Sequence, residues 1–240
     1  MSKIRTWLFT INLILLCGMG NAQESEPLLE SIDTIQKRVK KPYTLRFGID
    51  LIKPITAQFE KDYFGLELVG DLRLYGDFYI AAEIGNEKRT EQSELINFTT
   101  AGSYIKLGFD YNMFKNWKGM NNAIHIGLRL CNSFHSQTVN SYETYNLNHY
   151  WPTEITQNGF QTGERESLNA RWAEVVVGIK VRLIDNFYLG FSFRMNRLFS
   201  DTEPNNFDNL YIPGFNRKTD ENVWGAGFNY TLTYAIPIKL

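Results

Sequence analysis

An all-β fold is expected for this chain, namely an eight-stranded antiparallel up-and-down transmembrane β-barrel. Eight segments alternate apolar and polar residues with the period of two that places successive side chains on opposite faces of a strand. The connections between these segments alternate strictly between short and long. Aromatic residues, which make up 15% of the chain, flank many segment ends, where the two interfaces of a membrane would lie.

The N-terminal segment has the organisation of an export signal. Two basic residues precede an apolar run shorter than the roughly 20 residues that a membrane-spanning helix needs, and the small residues Gly20 and Ala22 come before a polar stretch. We therefore expect residues 1–22 to be a secretory signal peptide that is cleaved after Ala22. An uncleaved anchor is one alternative. Acylation of Cys17, as in a lipoprotein, is another, and the large Leu16 before it disfavours this.

Residues 23–43 precede the first strand and are expected on the periplasmic side. Leu28, Ile32 and Ile35 recur at the spacing of one helical face, ahead of the basic run 37–41. The segment is therefore either a short amphipathic helix or a disordered leader to the barrel. A helix of this kind needs a surface to cover its apolar face, which makes Leu28, Ile32 and Ile35 candidate interaction residues.

Residues 44–240 form the predicted barrel. In chain order, the alternating segments are 45–51, 64–74, 78–84, 104–111, 124–131, 172–183, 188–196 and 224–236. Their apolar faces begin and end, in the same order, with Leu45 and Leu51, Phe64 and Leu74, Phe78 and Ile84, Ile105 and Tyr111, Ile124 and Leu130, Ala173 and Leu183, Leu189 and Met195, and Trp224 and Ile236. Each segment therefore fits a strand that separates lipid from a polar interior.

The lengths of the connections distinguish a membrane barrel from a soluble one. Short turns are expected at 75–77, 115–122 and 184–186, and long loops at 54–61, 86–97, 136–169 and 199–221. A barrel inserted from the periplasm has tight periplasmic turns and long external loops, whereas a soluble lipocalin-like barrel, the alternative, has no reason to separate them by side. The expected interfacial aromatics are Phe64, Tyr75, Phe78, Phe98, Phe114, Trp117, Phe134, Trp172, Phe187, Phe199 and Trp224.

Three features of the sequence carry a family resemblance. The signal ends in Asn21-Ala22-Gln23, strands such as 65–75 are amphipathic, and so is the terminal strand. In these features, residues 44–240 resemble the small outer-membrane β-barrel proteins of Bacteroidota. The resemblance implies the fold and an outer-membrane location, and it transfers no functional residue. Leu240 departs from the terminal Phe that is common in such barrels.

Polar side chains on the inner faces are expected to fill the barrel, since eight strands enclose a space just wide enough for their own side chains. Charges of both signs occur there in similar number, and buried charges persist when they are paired. A structural network is therefore expected, with a proton or ion path as the alternative. Its members are Arg46, Asp50, Glu67, Asp71, Arg73, Glu83, Arg129, Glu174, Arg182 and Arg194, with Lys106, Asp110 and Lys180.

The longest predicted loop, 136–169, combines aromatic residues with Asn, Thr and Gln, a mixture that suits contact with another surface or a glycan. Its candidate interaction residues are Tyr142, Tyr145, Tyr150 and Trp151. Packing of the loop on its own aromatics is the alternative. The loop 199–221, which contains Phe207, Tyr211 and Phe215, has the same character.

A catalytic site has little support in the sequence. His135, Ser136, Glu143 and His149 have the types of a base, a nucleophile and an orienting acid near the outer rim, but no spacing links them to a known motif. We therefore expect no enzyme, and we assign no catalytic residue, metal ligand or cofactor. Cys131, the single thiol left after signal cleavage, is interpreted as a small filler on an inner face.

The net charge of −1, without a long basic run, gives no reason to expect nucleic acid as a partner. The expected function is that of a non-catalytic structural or interaction subunit of the cell envelope. Its expected partners are outer-membrane lipid and other envelope proteins. A lipid-modifying outer-membrane enzyme and a loop-based adhesin or receptor are the alternatives.

Overall fold

The computed structural model describes residues 43–93, 96–114, 122–144, 154–157, 163–202, 209–217 and 223–238. The chain divides into Met1–Lys40, which lies outside the described residues, and Lys41–Leu240, which contains the barrel. The expected signal peptide therefore lies outside the described residues, as does the expected periplasmic segment up to residue 42. The candidate interaction residues Leu28, Ile32 and Ile35 lie there too.

The described elements are almost all strands, and each of the eight alternating segments forms one. In chain order, the elements are β1 (Tyr43–Asp50), α1 (Ile52–Phe59), β2 (Tyr63–Tyr75), β3 (Phe78–Gln92), β4 (Ile96–Asn112), β5 (Ala123–Thr144), β6 (Glu154–Gln157), β7 (Gly163–Ile184), β8 (Phe187–Asp201), β9 (Tyr211–Ile212), β10 (Asn216–Arg217) and β11 (Trp224–Ile238).

The eight long strands close into a ring. Each of β1, β2, β3, β4, β5, β7, β8 and β11 pairs antiparallel with the next, and β11 pairs back onto β1 from Tyr43↔Ile238 to Asp50↔Thr231. The chain is thus an eight-stranded antiparallel closed β-barrel, as the alternation predicts. Closure gives each strand a partner on both sides, so the ring has no free sheet edge.

The two rims of the barrel differ in construction. At one rim, two-residue turns join β2 to β3 and β7 to β8, and Gly76 (φ 57°) and Asn186 (φ 67°) supply the left-handed backbone that such tight hairpins require. The first residue of β1, Tyr43, and the last residue of β11, Ile238, pair at this same rim, which we call the turn rim. The opposite rim, where the links β1–β2, β3–β4, β5–β7 and β8–β11 lie, is the loop rim.

The strands continue further toward the loop rim than expected, so two predicted loops are wrong in part. Most of the predicted loop 86–97 belongs to β3 and β4, which leaves only 93–95 between them, and long and short links do not alternate strictly. Likewise β5 continues to Thr144, β6 adds four residues, and β7 begins at Gly163 inside the predicted loop 136–169. Near the loop rim most outward residues of these strands are polar like the inward ones. The alternation of apolar and polar residues therefore no longer reveals the strands, although backbone pairing continues.

Two short elements at the loop rim are not predicted by the alternation. Helix α1 occupies the predicted loop 54–61, and it follows Asp50, whose carboxylate accepts hydrogen bonds from the backbone N–H groups of Ile52 (3.3 Å) and Tyr230 (3.0 Å). β9 and β10 form a small hairpin within the predicted loop 199–221. None of the described helices is long and apolar enough to span a bilayer.

Candidate functional site

The outer face of the barrel carries a continuous apolar band next to the turn rim. On β4 the band contains Ile105, Leu107, Phe109 and Tyr111, and each of these side chains is 40–51% exposed. All the other long strands contribute exposed apolar side chains to it, including Phe47, Leu68, Ile80, Ile84, Leu128, Val177, Phe193 and Phe228. An exposed apolar surface of this extent, circling a whole molecule, indicates that another apolar phase covers it.

The band ends sharply partway toward the loop rim. Ile84 pairs with Ile105, and two residues further along the outward pair is Asn86 and Ser103, whose side chains hydrogen-bond at 2.9 Å. On β7 the next outward residue from Ala173 toward the loop rim is Arg171. Above the band, the outward residues of β3, β4 and β7 are therefore mostly polar, whereas Phe64, Leu66, Phe134 and Phe199 are exposed apolar side chains on the neighbouring strands.

Most of the predicted interfacial aromatics are exposed on the wall, but two predictions are wrong. Phe98 is 4% exposed and Trp172 is 1% exposed, and both side chains point into the barrel. The alternation that places Glu174 inside also places Trp172 inside, where its indole N–H donates to Glu174 at 2.8 Å. Trp117 lies outside the described residues.

Glu83 is the centre of the charge cluster inside the barrel. Its carboxylate accepts hydrogen bonds from Arg194 (Nη1 at 2.5 Å, Nη2 at 3.1 Å) and from Arg129 (Nε at 3.2 Å). Arg194 also donates to Glu174 (3.1 Å), which pairs with Lys106 at 3.0 Å. These charges are almost fully buried, and each finds an opposite charge, the condition under which buried ions are tolerated.

Toward the turn rim, Asp71 joins two cations. It accepts hydrogen bonds from Arg46 (2.7 Å) and Lys180 (2.6 Å), and the Arg46 guanidinium lies 4.7 Å from the ring centre of Tyr79. Between this group and the Glu83 cluster, Arg129 pairs with Asp110 at 2.8 Å. A cavity of about 30 Å³ lies among these charges, large enough for about two water molecules.

Near the loop rim, a second carboxylate cluster ties both short elements to the barrel. Lys53, from α1, forms ion pairs with Glu87 and, at 3.7 Å, with Glu67. Burial alone would lower the pKa of Lys53, but the carboxylates of Glu87 and Glu67 raise it well above its usual value. Lys53 therefore stays charged. The hydroxyl of Tyr104 donates to Glu67 at 2.5 Å, and Asn229 donates to the other oxygen of Glu67 at 2.6 Å.

The segment 209–217, which we call the inward turn, folds back into the mouth of the barrel. Ile212 and Phe215 have no exposed surface, and Phe215 meets Trp172 edge-on at 5.8 Å between ring centres. The apolar cluster around them consists of Tyr104, Cys131, Ala170, Trp172, Leu198, Ile212 and Phe215. Hydrogen bonds to Glu87 from the Tyr211 hydroxyl (2.9 Å) and the Gly214 N–H (3.0 Å) fasten its tip.

His135 holds the other end of the inward turn. Its Nε2 lies 3.2 Å from Oδ1 of Asn209, and its Nδ1 lies 3.4 Å from the Ser133 hydroxyl. A neutral imidazole with the proton on Nε2 satisfies both contacts, since it donates to the amide oxygen and accepts from the hydroxyl. Ser136, which the sequence pairs with His135 as a catalytic candidate, borders a groove near the loop rim that His135 also lines. The side chain of Glu143, and all of His149, lie outside the described residues.

The other predicted network residues lie as follows. Arg46, Glu67, Asp71, Glu83, Arg129, Glu174 and Arg194 are buried inside the barrel, with Lys106 and Asp110. Asp50 is also buried, but its described hydrogen bonds come from backbone N–H groups. Arg73 and Arg182 lie at the turn rim, where Arg73 contacts Asp77 at 3.3 Å and Arg182 lies 4.0 Å from the exposed Asp185.

The predicted loop aromatics separate into two groups. Tyr211 and Phe215, which the sequence suggested for contact with another surface or for packing within their loop, are buried in the inward turn against the barrel. Tyr142 is half-buried on β5, where it pairs with Ile96 and Thr156. Tyr145, Tyr150 and Trp151 lie outside the described residues. Within the described ranges, no group of His, Cys, Asp and Glu side chains is placed to hold a metal ion.

Sequence patterns do not identify Lys53 and Glu87, although they connect both short elements to the barrel. Glu87 falls in a predicted loop, yet it continues the inward positions of Glu83 and Gly85 at a spacing of two. That spacing is the signal that could have found it. Lys53 carries no such signal, because it lies on a helix between strands.

The comparisons with known proteins give one family and two similar folds. A family model described as "Domain of unknown function (DUF6048)" matches residues 2–240. No curated protein matches the chain. The crystal structure of Ail, the attachment invasion locus protein of Yersinia pestis, is similar at a TM-score of 0.41 and 10% identity, over 82% of this chain and 100% of that one. Neisserial surface protein A is similar at a TM-score of 0.40 and 10% identity, over 82% and 96%.

Proposed function

This chain belongs to the DUF6048 family, and we propose that it is an integral outer-membrane β-barrel that serves as a non-catalytic structural or interaction subunit of the cell envelope. The observation that carries the proposal is the apolar band around a closed barrel. Along β4 and the residue that follows it, the band extends from Ile105 to Met113, and on β7 it extends from Ala173 to Leu183. These lengths match the roughly 9–11 residues that a tilted transmembrane strand needs.

The filled interior supports a role carried out at the outer surfaces of the barrel. Ion pairs around Glu83 occupy its middle, and the inward turn and Lys53 occupy its mouth. Eight strands enclose only enough space for side chains of this kind, so the fold itself favours a packed core over a conduit.

In the proposed orientation, the turn rim faces the periplasm and the loop rim faces outward. The strands continue past the apolar band on the side of the loop rim, where the outward residues of β3 and β4 are mostly polar. Such an extension suits an aqueous exterior. Tight turns suit the side from which the strands are threaded through the membrane.

A matched pair of substitutions on β5 tests membrane insertion. Leu128 lies in the band, and Asn140 is also exposed on the outer wall of β5 but lies near the loop rim. We expect Leu128→Arg to lower the free energy of unfolding from lipid vesicles by about 2–4 kcal/mol, because a charge at mid-membrane depth must be desolvated. Urea titration read out by heat-modifiable gel mobility measures this.

Asn140→Arg places the same charge on the same strand outside the band, so we expect it to change the unfolding free energy by less than about 1 kcal/mol. Equal tolerance of the two substitutions would contradict the proposal, since it would indicate that water surrounds both positions.

A further inference from the structure

Two exposed guanidiniums lie side by side on the outer wall just above the apolar band. Arg197 on β8 is directly opposite Ala173 on β7, and Arg171 is the next outward residue after Ala173. A register shift between Arg171 and Trp172 places Arg171 opposite Ser200, three residues from Arg197 along β8, and the long side chains of the two arginines can extend toward each other along this strand pair.

Neither guanidinium forms an ion pair with any of the described side chains. The outward neighbours of Arg171 are Asn132 on β5 and Ser200 on β8, both uncharged. Arg197 lies over the Trp224 ring at 5.4 Å. Two like charges placed together on a sheet repel each other, so an anion bound between them would relieve a cost that the described residues leave in place.

A polar groove of about 960 Å³ opens directly beside Arg171. The side chains along it include Phe134, Ser136, Asn169, Arg171, Ser200 and Thr202. Hydroxyl and amide groups can both donate and accept hydrogen bonds, as the hydroxyls of a sugar require, and Phe134 adds an exposed aromatic face.

The wall on the other side of the two arginines belongs to the apolar band. Below Ala173 and Arg197, the outward residues are Val175 on β7 and Met195 on β8, which pair with each other and are 41% and 46% exposed. Alkyl chains can lie against this surface. Acyl-chain, phosphate and sugar surfaces thus follow one another along the wall, in the order in which a glycolipid presents these groups.

We propose that Arg171, Arg197 and the adjoining groove bind a phosphorylated glycolipid of the outer leaflet, with its phosphate on the two guanidiniums and its sugar in the groove. Arginine suits this role because its planar fork of donors matches phosphate oxygens in a bidentate manner. The inference rests on the proposed function, since only a membrane barrel with its loop rim outward places this patch at the headgroup level.

Binding of diphosphorylated lipid A to the purified full-length protein in detergent micelles tests the proposal. We expect the wild type to retain this lipid more strongly than a dephosphorylated analogue with the same acyl chains. Arg171→Gln combined with Arg197→Gln should weaken retention at least about tenfold, the loss expected when hydrogen bonds to a charged group are removed. Inorganic phosphate at millimolar concentration should not displace the lipid.

Lys61→Gln combined with Lys88→Gln is the matched control. It removes two exposed positive charges on the opposite side of the barrel, and we expect it to bind lipid A as the wild type does. Three results would overturn this inference but not the proposed function. They are lipid A retention by the arginine double variant equal to that of the wild type, equal retention of the dephosphorylated analogue, and displacement of the lipid by inorganic phosphate. Failure of the wild type to insert into phosphatidylcholine vesicles and show heat-modifiable mobility would overturn the proposed function as well.

Discussion

Glu83 shows how single residues inside the barrel depend on one another. Its two oxygens take three hydrogen bonds from two arginines, and those arginines in turn reach Glu174 and Asp110. Such a cluster is not strong evidence of net stabilisation, because removing each charge from water is costly. Removing one member is more costly still, because its partners remain buried without compensation.

We predict that Glu83→Gln lowers the free energy of unfolding by about 3–5 kcal/mol, because it leaves the Arg129 and Arg194 guanidiniums with one carboxylate fewer. Urea titration in vesicles measures the change. Asp185→Asn is the control, because Asp185 is 97% exposed at the turn rim and exposed ion pairs contribute little, so we expect a change within about 1 kcal/mol. A Glu83→Gln protein as stable as the control would mean that the interior charges are well solvated.

Among the elements, the inward turn has the most specific fit. Gly214 has φ 82°, and a Cβ atom there would lie 2.7 Å from the nearest ring atom of Tyr104. Glycine is therefore required at this position for two reasons, its backbone conformation and the closeness of the aromatic ring.

We predict that Gly214→Ala displaces the inward turn at a cost of about 1–3 kcal/mol while leaving the barrel closed. Trypsin cleavage after Arg217 should then become roughly tenfold faster, since proteolysis follows the population of the opened segment. Gly76→Ala is the control: its φ of 57° is also left-handed, but no atom lies within 4 Å of the added Cβ. If both variants are cleaved after Arg217 at the wild-type rate, the turn is not held by this contact.

At the scale of the whole molecule, the interior is blocked at two levels, by the inward turn in the mouth and by the ion pairs around Glu83 below it. We predict that the purified protein gives no stable ionic conductance in a planar bilayer, because eight strands leave no room for a channel past these side chains. The Gly214→Ala variant should also give no conductance, since the ion pairs around Glu83 still block the interior. A porin measured in the same membrane verifies the assay. Large stable channels from the wild type would contradict the filled interior.

Period-two patterning alone was sufficient for the eight strands of the barrel, their antiparallel order and the assignment of side chains to the two faces of the wall. This is because the face of a strand on which a residue lies depends only on odd or even position. Leu128 and Val177 on the apolar face and Glu83 and Arg194 on the inner face could be assigned in this way. The ends of the strands could not, because the alternation in hydropathy fades where both faces are polar.

The tertiary structure decided which inner residues meet. The inward turn brings Tyr211 and Phe215 from a segment that is polar and aromatic in sequence into contact with Glu87 and Trp172, far from them along the chain. The same holds for Lys53, which reaches Glu87 only because α1 packs at the loop rim. Burial and pairing depend on the closure of the barrel and on the register of its strands, and a local pattern contains neither. For the same reason, Arg171 and Arg197 become neighbours only through the pairing of β7 with β8.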